Sequence, residues 1–169
     1  MKQTAINYVG NIHHAIRTKY IFNYFQLEHE LMEHELVHTW KRMMIHGNQS
    51  FNTGRLYSAE NYYEIACNLA YHMCLKGITS SNDLAPLLMS YQNLAELYFK
   101  KNQTNLALSQ YQKLHEKLVE FSQRQQNSGS LLMVQNAIRK IGKELFDTIK
   151  KKEISSLRSK QLMERIISM

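Results

Sequence analysis

Nothing in this chain constrains its fold more than the stretch from Tyr91 to Leu114, which reads YQNLAELYFKKNQTNLALSQYQKL. Leu94, Ala95 and Tyr98 fall at steps of one and three, and Ala107, Tyr111 and Leu114 at steps of four and three. With about 3.6 residues per turn, each triplet shares one helix face. Asn102 stands between them as a turn residue. Ala95 and Ala107 are small at positions where a partner helix approaches closely. The stretch therefore predicts two helices folded back on each other and packed along their apolar faces.

Parts of this pattern recur. Gly54, Ala59, Tyr63 and Ala66 echo Asn102, Ala107, Tyr111 and Leu114 at an offset of 48 residues. Ile138, Ile141, Gly142 and Leu145 echo Tyr91, Leu94, Ala95 and Tyr98 at an offset of 47. Gly142 is informative, because a glycine inside a helix costs about 1 kcal/mol relative to alanine and implies a close helix contact. One proline and six glycines in 169 residues leave few breaks, which fits long helices with short connections and not a many-turned sandwich.

In chain order, the pattern predicts a short helix over residues 3–9 ending at Gly10, then a helical segment over 11–45. That segment carries two adjacent stripes, one through Ala15, Tyr20, Tyr24, Leu27 and Leu31, the other through Phe25, Met32, Leu36, Trp40 and Met43. The polar run HGNQSFNTG (46–54) reads as a loop, followed by a helix over 55–76 that Gly77 ends. Helices are predicted over 84–101, with Pro86 in the first turn, and over 103–125. A loop over 125–130 with Ser130 as cap precedes a helix over 131–152, and Ser155 or Ser156 starts a last helix through Leu157, Leu162 and Ile166. The expectation is an all-α chain of about six to seven helices, antiparallel hairpins stacked as a short α-solenoid or bundle, in a single domain over 1–169.

The hairpin resembles a tetratricopeptide repeat. Tyr91, Leu94, Ala95, Tyr98, Asn102, Ala107, Tyr111 and Leu114 take the places of that repeat's large aromatic, Leu with a small neighbour, Tyr, turn residue, Ala, aromatic and final small position. The likeness is clearest over 88–116 and partial over 54–67 and 131–167. The offsets of 47 and 48 exceed the usual repeat of about 34 residues, so the helices here are extended. The resemblance, to small bacterial proteins of this kind, implies a non-catalytic module that binds a peptide or helix of another protein, with no cofactor. It also implies a groove lined by residues off the packing face: Met89, Gln92, Glu96, Phe99 and Lys100, with Asn136, Arg139, Lys143 and Phe146 on the later helix. Chaperone-binding members hold a terminal carboxylate with Lys and Asn. Gln92 and Glu96 stand in those places, which argues against that partner. The free ends of such a stack also allow a homodimer.

Charge and composition narrow the field further. The chain carries a formal net charge of +7, concentrated over residues 139–165, where nine Lys or Arg face Glu144, Asp147, Glu153 and Glu164. Residues 28–38 hold four Glu and no Lys or Arg, so the charge is polarised along the chain. A basic end steers acidic partners. Nucleic acid is a weaker candidate, centred on Lys150, Lys151 and Lys152, because no basic strip alternates with exposed aromatics. No apolar run approaches a membrane span of about eighteen residues, and MKQTAINYVGN lacks the apolar core of a signal peptide, so a cytoplasmic location is expected. Cys67 and Cys74 are seven residues apart on one expected helix, roughly 10 Å, beyond disulfide reach.

One motif points elsewhere. His34-Glu35-Leu36-Val37-His38 matches H-E-x-x-H, in which two histidines one helical turn apart bind zinc and the glutamate deprotonates a bound water. Glu60 stands where a downstream helix supplies a third ligand in thermolysin-like peptidases. Against this, four Glu and three His within residues 28–38 generate the pattern easily, and no period-two strand is present to hold a substrate. The interaction module is the preferred expectation and the zinc peptidase the alternative.

Overall fold

The computed structural model describes residues 34–167. The expected helix over 3–9, and the part of the 11–45 segment before residue 34, lie outside them. The chain divides into two compact units, residues 1–38 and 39–169. In the first unit, residues 34–38 are helical. The second contains α1 (39–52), α2 (Leu56–Leu75), α3 (Ser81–Lys100), α4 (Thr104–Arg124), α5 (Ser128–Lys151) and α6 (Leu157–Ile167). Among the described residues there is no strand. The architecture is an all-α bundle or solenoid in which each helix from α2 to α6 packs on the next.

Packing also reaches the helix after next. α3 touches α5 and α4 touches α6. Side chains make the same links from α1 to α3 and from α2 to α4. The Trp40 indole donates to Ser90 Oγ at 2.9 Å, Asn93 donates to Asn48 at 3.1 Å, and the Tyr71 hydroxyl donates to Glu120 at 2.9 Å. Two layers result, α1–α3–α5 and α2–α4–α6, with the main core between them. Ala59, Tyr63, Ala66, Leu94, Ala107, Leu114, Ile138 and Ile141 are all buried in that core. The repeated positions of the sequence are therefore its packing positions. A smaller cluster of Ala95, Leu108, Tyr111, Leu145, Leu162 and Ile166 lies under α6.

The close approaches occur where small residues permit them. Asn102 takes φ +58° between α3 and α4, a left-handed conformation that asparagine tolerates. A Cβ built on Gly142 would stand 3.0 Å from Ile166 Cγ2, so the bare backbone of α5 admits α6 at that level.

Three boundaries differ from the sequence expectation. Residues 46–52 belong to α1, and the turn is confined to 53–55. Gly47 does not break the helix, because it faces Tyr63: a Cβ there would lie 2.5 Å from the ring. The polar Asn48 is used by tertiary bonding, accepting from the Tyr63 hydroxyl at 2.7 Å. Second, α3 starts at Ser81, not 84, so Pro86 lies beyond the first turn. A capping box sets that start, with the Ser80 amide donating to Asp83 at 2.8 Å and the Ser80 side chain bonding the Asp83 backbone. Third, Ser130 is not the cap of α5. Asn127 caps it, accepting from the Gly129 amide at 2.7 Å, while the Ser130 hydroxyl donates to the Ile78 carbonyl at 2.7 Å and ties α5 to the α2–α3 connection. The last helix starts at Leu157, and Ser156 Oγ accepts from the Ser159 amide at 3.1 Å.

One buried group makes stability depend on pH. His115 on α4 is buried with Nε2 unpartnered among the described residues. Desolvation lowers its pKa from the ordinary 6.5; Glu116 opposes this and Arg165 adds to it. As pH falls through 6.5, the unfolded chain takes up a proton that the folded chain does not. The stability that a neutral His115 supports is therefore present above 6.5 and is lost below it. Urea titrations at stepped pH should show stability falling below 6.5 more steeply in the parent than in His115→Phe.

Candidate functional site

The expected groove residues separate into two groups. Those of α3 face the layer it shares with α1 and α5, and most are already engaged. Gln92 donates to Glu144, and Lys152 donates to Glu96 at 3.2 Å while lying 4.7 Å from the Phe99 ring centre. Lys100 donates to the Phe51 carbonyl at 3.1 Å and lies over the Phe51 ring. Met89 is exposed.

The α5 group meets at a different place. Arg139, Lys143 and Phe146 line a cavity of about 570 Å³ whose other walls are Ser122 of α4 and Ile166 of α6. Ile138 and Gly142 also line it. None of the five α3 residues does. Among the described residues, Arg139 donates to its own-helix neighbour Asn136, at 2.7 Å, and neither it nor Lys143 is paired with a carboxylate. Phe146 is 54% exposed, and Leu132, two heptads earlier on α5, is 53% exposed.

The geometry of this surface follows from helix lengths. α6 has 11 residues and α5 has 24. Ile166, next to the end of α6, lies level with Gly142, so α6 runs beside residues 142–151 of α5 and leaves 128–141 without it. Leu132, Gln135, Arg139, Gly142 and Phe146 form one stripe at steps of three and four along α5. Sequence reasoning missed Leu132, Ser122 and Ile166. Leu132 was detectable, as an apolar residue off the Val134–Ile138–Ile141–Leu145 packing face. Ser122 and Ile166 depend on where α4 and α6 lie.

The candidate metal ligands are placed as follows. In the first unit, His34 and His38 are exposed, with ring centres 4.4 Å apart. In the second, Glu60 accepts from the Tyr98 hydroxyl at 2.8 Å and from Lys101 at 2.5 Å. Desolvation pushes its carboxyl up, but these two donors outweigh that and hold it below its ordinary value. Glu60 therefore joins α2 to the α3–α4 turn as an ion pair. Among the described residues, no group of three or more His, Cys, Asp or Glu is arranged to hold a metal ion.

A second cavity, about 230 Å³, lies between α2, α3 and α4 and is lined in part by Cys67, Tyr91 and Lys113. Burial pushes the Cys67 thiol up to about 12, so it is protonated at neutral pH and a poor nucleophile. Cys74 is likewise free, buried and raised to about 12. No described helix is long and apolar enough to cross a membrane.

No curated protein and no solved structure matches the chain. A family model described as "Protein of unknown function (DUF2753)" matches residues 38–168. That match takes in all six helices and the α4–α5–α6 cavity, and the chain belongs to this family.

Proposed function

We propose that this protein is a cytoplasmic, non-catalytic interaction module of tetratricopeptide-like build that binds a helix or peptide of another protein. The observation that carries this reading is the exposed α5 stripe, with two large apolar side chains in solvent and two unneutralised cations between them. Helix-in-groove recognition uses such spaced apolar anchors, with charge supplying specificity. The two-layer stacking supports the same reading, because stacked hairpins present long open surfaces. The inert thiols and the engaged Glu60 supply no nucleophile or third metal ligand for the peptidase alternative.

Two measurements test this together. A photo-crosslinking residue at Gln135, in the full chain returned to its source cells, should give a discrete adduct with another protein; its absence from several exposed positions on both layers would sink the proposal. In parallel, Glu35→Gln should leave peptide hydrolysis at background, as in the parent. Zinc-dependent hydrolysis by the parent that Glu35→Gln abolishes would establish the peptidase instead.

A further inference from the structure

We infer that the occupant of the α5 stripe is an acidic amphipathic helix of a partner protein, lying end to end with α6 and completing the layer that α6 leaves unfinished. This rests on the interaction-module reading and narrows it to one surface and one class of partner.

Three observations converge. The first is length. Among the described residues, the part of α5 that α6 does not cover, residues 128–141, is 14 residues, or about 21 Å of helix. A partner helix of similar length would fill it, whereas an extended peptide would span it with only about six residues. The second is periodicity. Leu132, Gln135, Arg139, Gly142 and Phe146 step by three and four, the spacing that lets a second helix seat its side chains along a seam. Leu132 is an exposed apolar knob toward the start of the part that α6 leaves, Ile138 lines its floor, and Phe146 lies beyond it on the same cavity, at the junction with α6. The third is charge. Arg139 lies within the stripe and Lys140 and Lys143 beside it, all exposed. Glutamates flanking a partner's apolar stripe would meet these cations at the rim.

Nucleic acid fits less well. The stripe has apolar residues at its ends and an apolar floor, and Asp147 is exposed one residue beyond Phe146. Phosphate-tracking grooves instead present cations in succession.

The test uses the full chain and two labelled synthetic 14-residue helical peptides. One carries leucines at steps of three and four with glutamates flanking them; its twin has lysine at every glutamate. Fluorescence anisotropy at low salt should show the acidic peptide binding at least tenfold more tightly than the twin. Arg139→Glu combined with Lys143→Glu should invert that order while leaving the circular dichroism and melting temperature unchanged, since both side chains are exposed. Amide shift changes should centre on residues 132–143. Equal affinity for the two peptides, no binding of either, or shifts centred on α3 would overturn the inference. So would tighter binding of a single-stranded oligonucleotide. A chain dimer that the double variant dissociates would replace the heterologous partner with a second copy and overturn it too. A crosslinked partner attached elsewhere on the stack would overturn this inference and leave the module reading standing.

Discussion

Phe121→Ala is expected to lower the free energy of unfolding by about 3–5 kcal/mol. Phe121 is 1% exposed, and its ring centre lies 5.6 Å from that of Tyr71. It sits in the last turn of α4, where the α2–α4 layer closes on the main core with Leu118 and Val134. Truncation removes the transfer free energy of the ring and leaves a void that rigid neighbours from α2 and α5 fill only in part. For a domain of this size, 1 kcal/mol moves the melting temperature by roughly 2–4 °C, so a fall of about 6 °C or more should appear in calorimetry. A shift of 1 °C or less would mean that the α2–α4 layer does not close as described.

Gly47→Leu is expected to cost about 1–3 kcal/mol, a large loss for a change at a glycine. Even a methyl group at this position would lie 2.5 Å from Tyr63 Cε1 and 2.7 Å from Cδ1. The ring cannot swing aside freely, because Tyr63 is 2% exposed and its hydroxyl is bonded to Asn48. Leucine is a better helix former than glycine by nearly 1 kcal/mol, so on propensity alone the substitution would stabilise α1. The two effects have opposite signs, and denaturant unfolding decides between them. A midpoint that rises would show that Gly47 serves no close approach. Gly54→Leu makes a useful contrast: it has open space around it but φ +76°, so any loss there comes from backbone strain alone.

These two positions also show what was legible in the sequence. Periodicity located the core correctly: the positions marked by Tyr63, Leu94, Ala107, Leu114 and Ile141 are buried, since a 3.6-residue repeat is a direct consequence of helix geometry. Gly142 was legible as a close contact for the same reason. Gly47 was not, because a glycine within HGNQSFNTG carries the composition of a loop, and only Tyr63 across the interface explains it. Ser130 resembles a helix cap locally but spends its hydroxyl on Ile78, 52 residues away. Local chemistry gives the menu of roles, and distant partners select among them.

The candidate site was legible to the same depth. Arg139, Lys143 and Phe146 were named from their place off the packing face, and they do line one cavity. Gln92, Glu96 and Lys100 follow the same pattern yet are engaged by Glu144, Lys152 and Phe51. Which exposed residues find partners is set by the lateral register between helices of one layer, and no single-helix pattern encodes that register.

The near-neighbour packing has a kinetic consequence. Tertiary bonds such as Trp40–Ser90, Tyr71–Glu120 and Glu96–Lys152 close loops of 50, 49 and 56 residues. Each helix needs only its immediate company to settle, so growth can begin at any hairpin and spread in both directions. α6 is the shortest of these helices, 11 residues, and among the described elements it packs on α4 and α5. Fraying should begin there and reach the middle of the stack last. The wall of the α5 groove is thus the part of this unit that opens most readily, and a visiting helix would meet a boundary that yields before it sets.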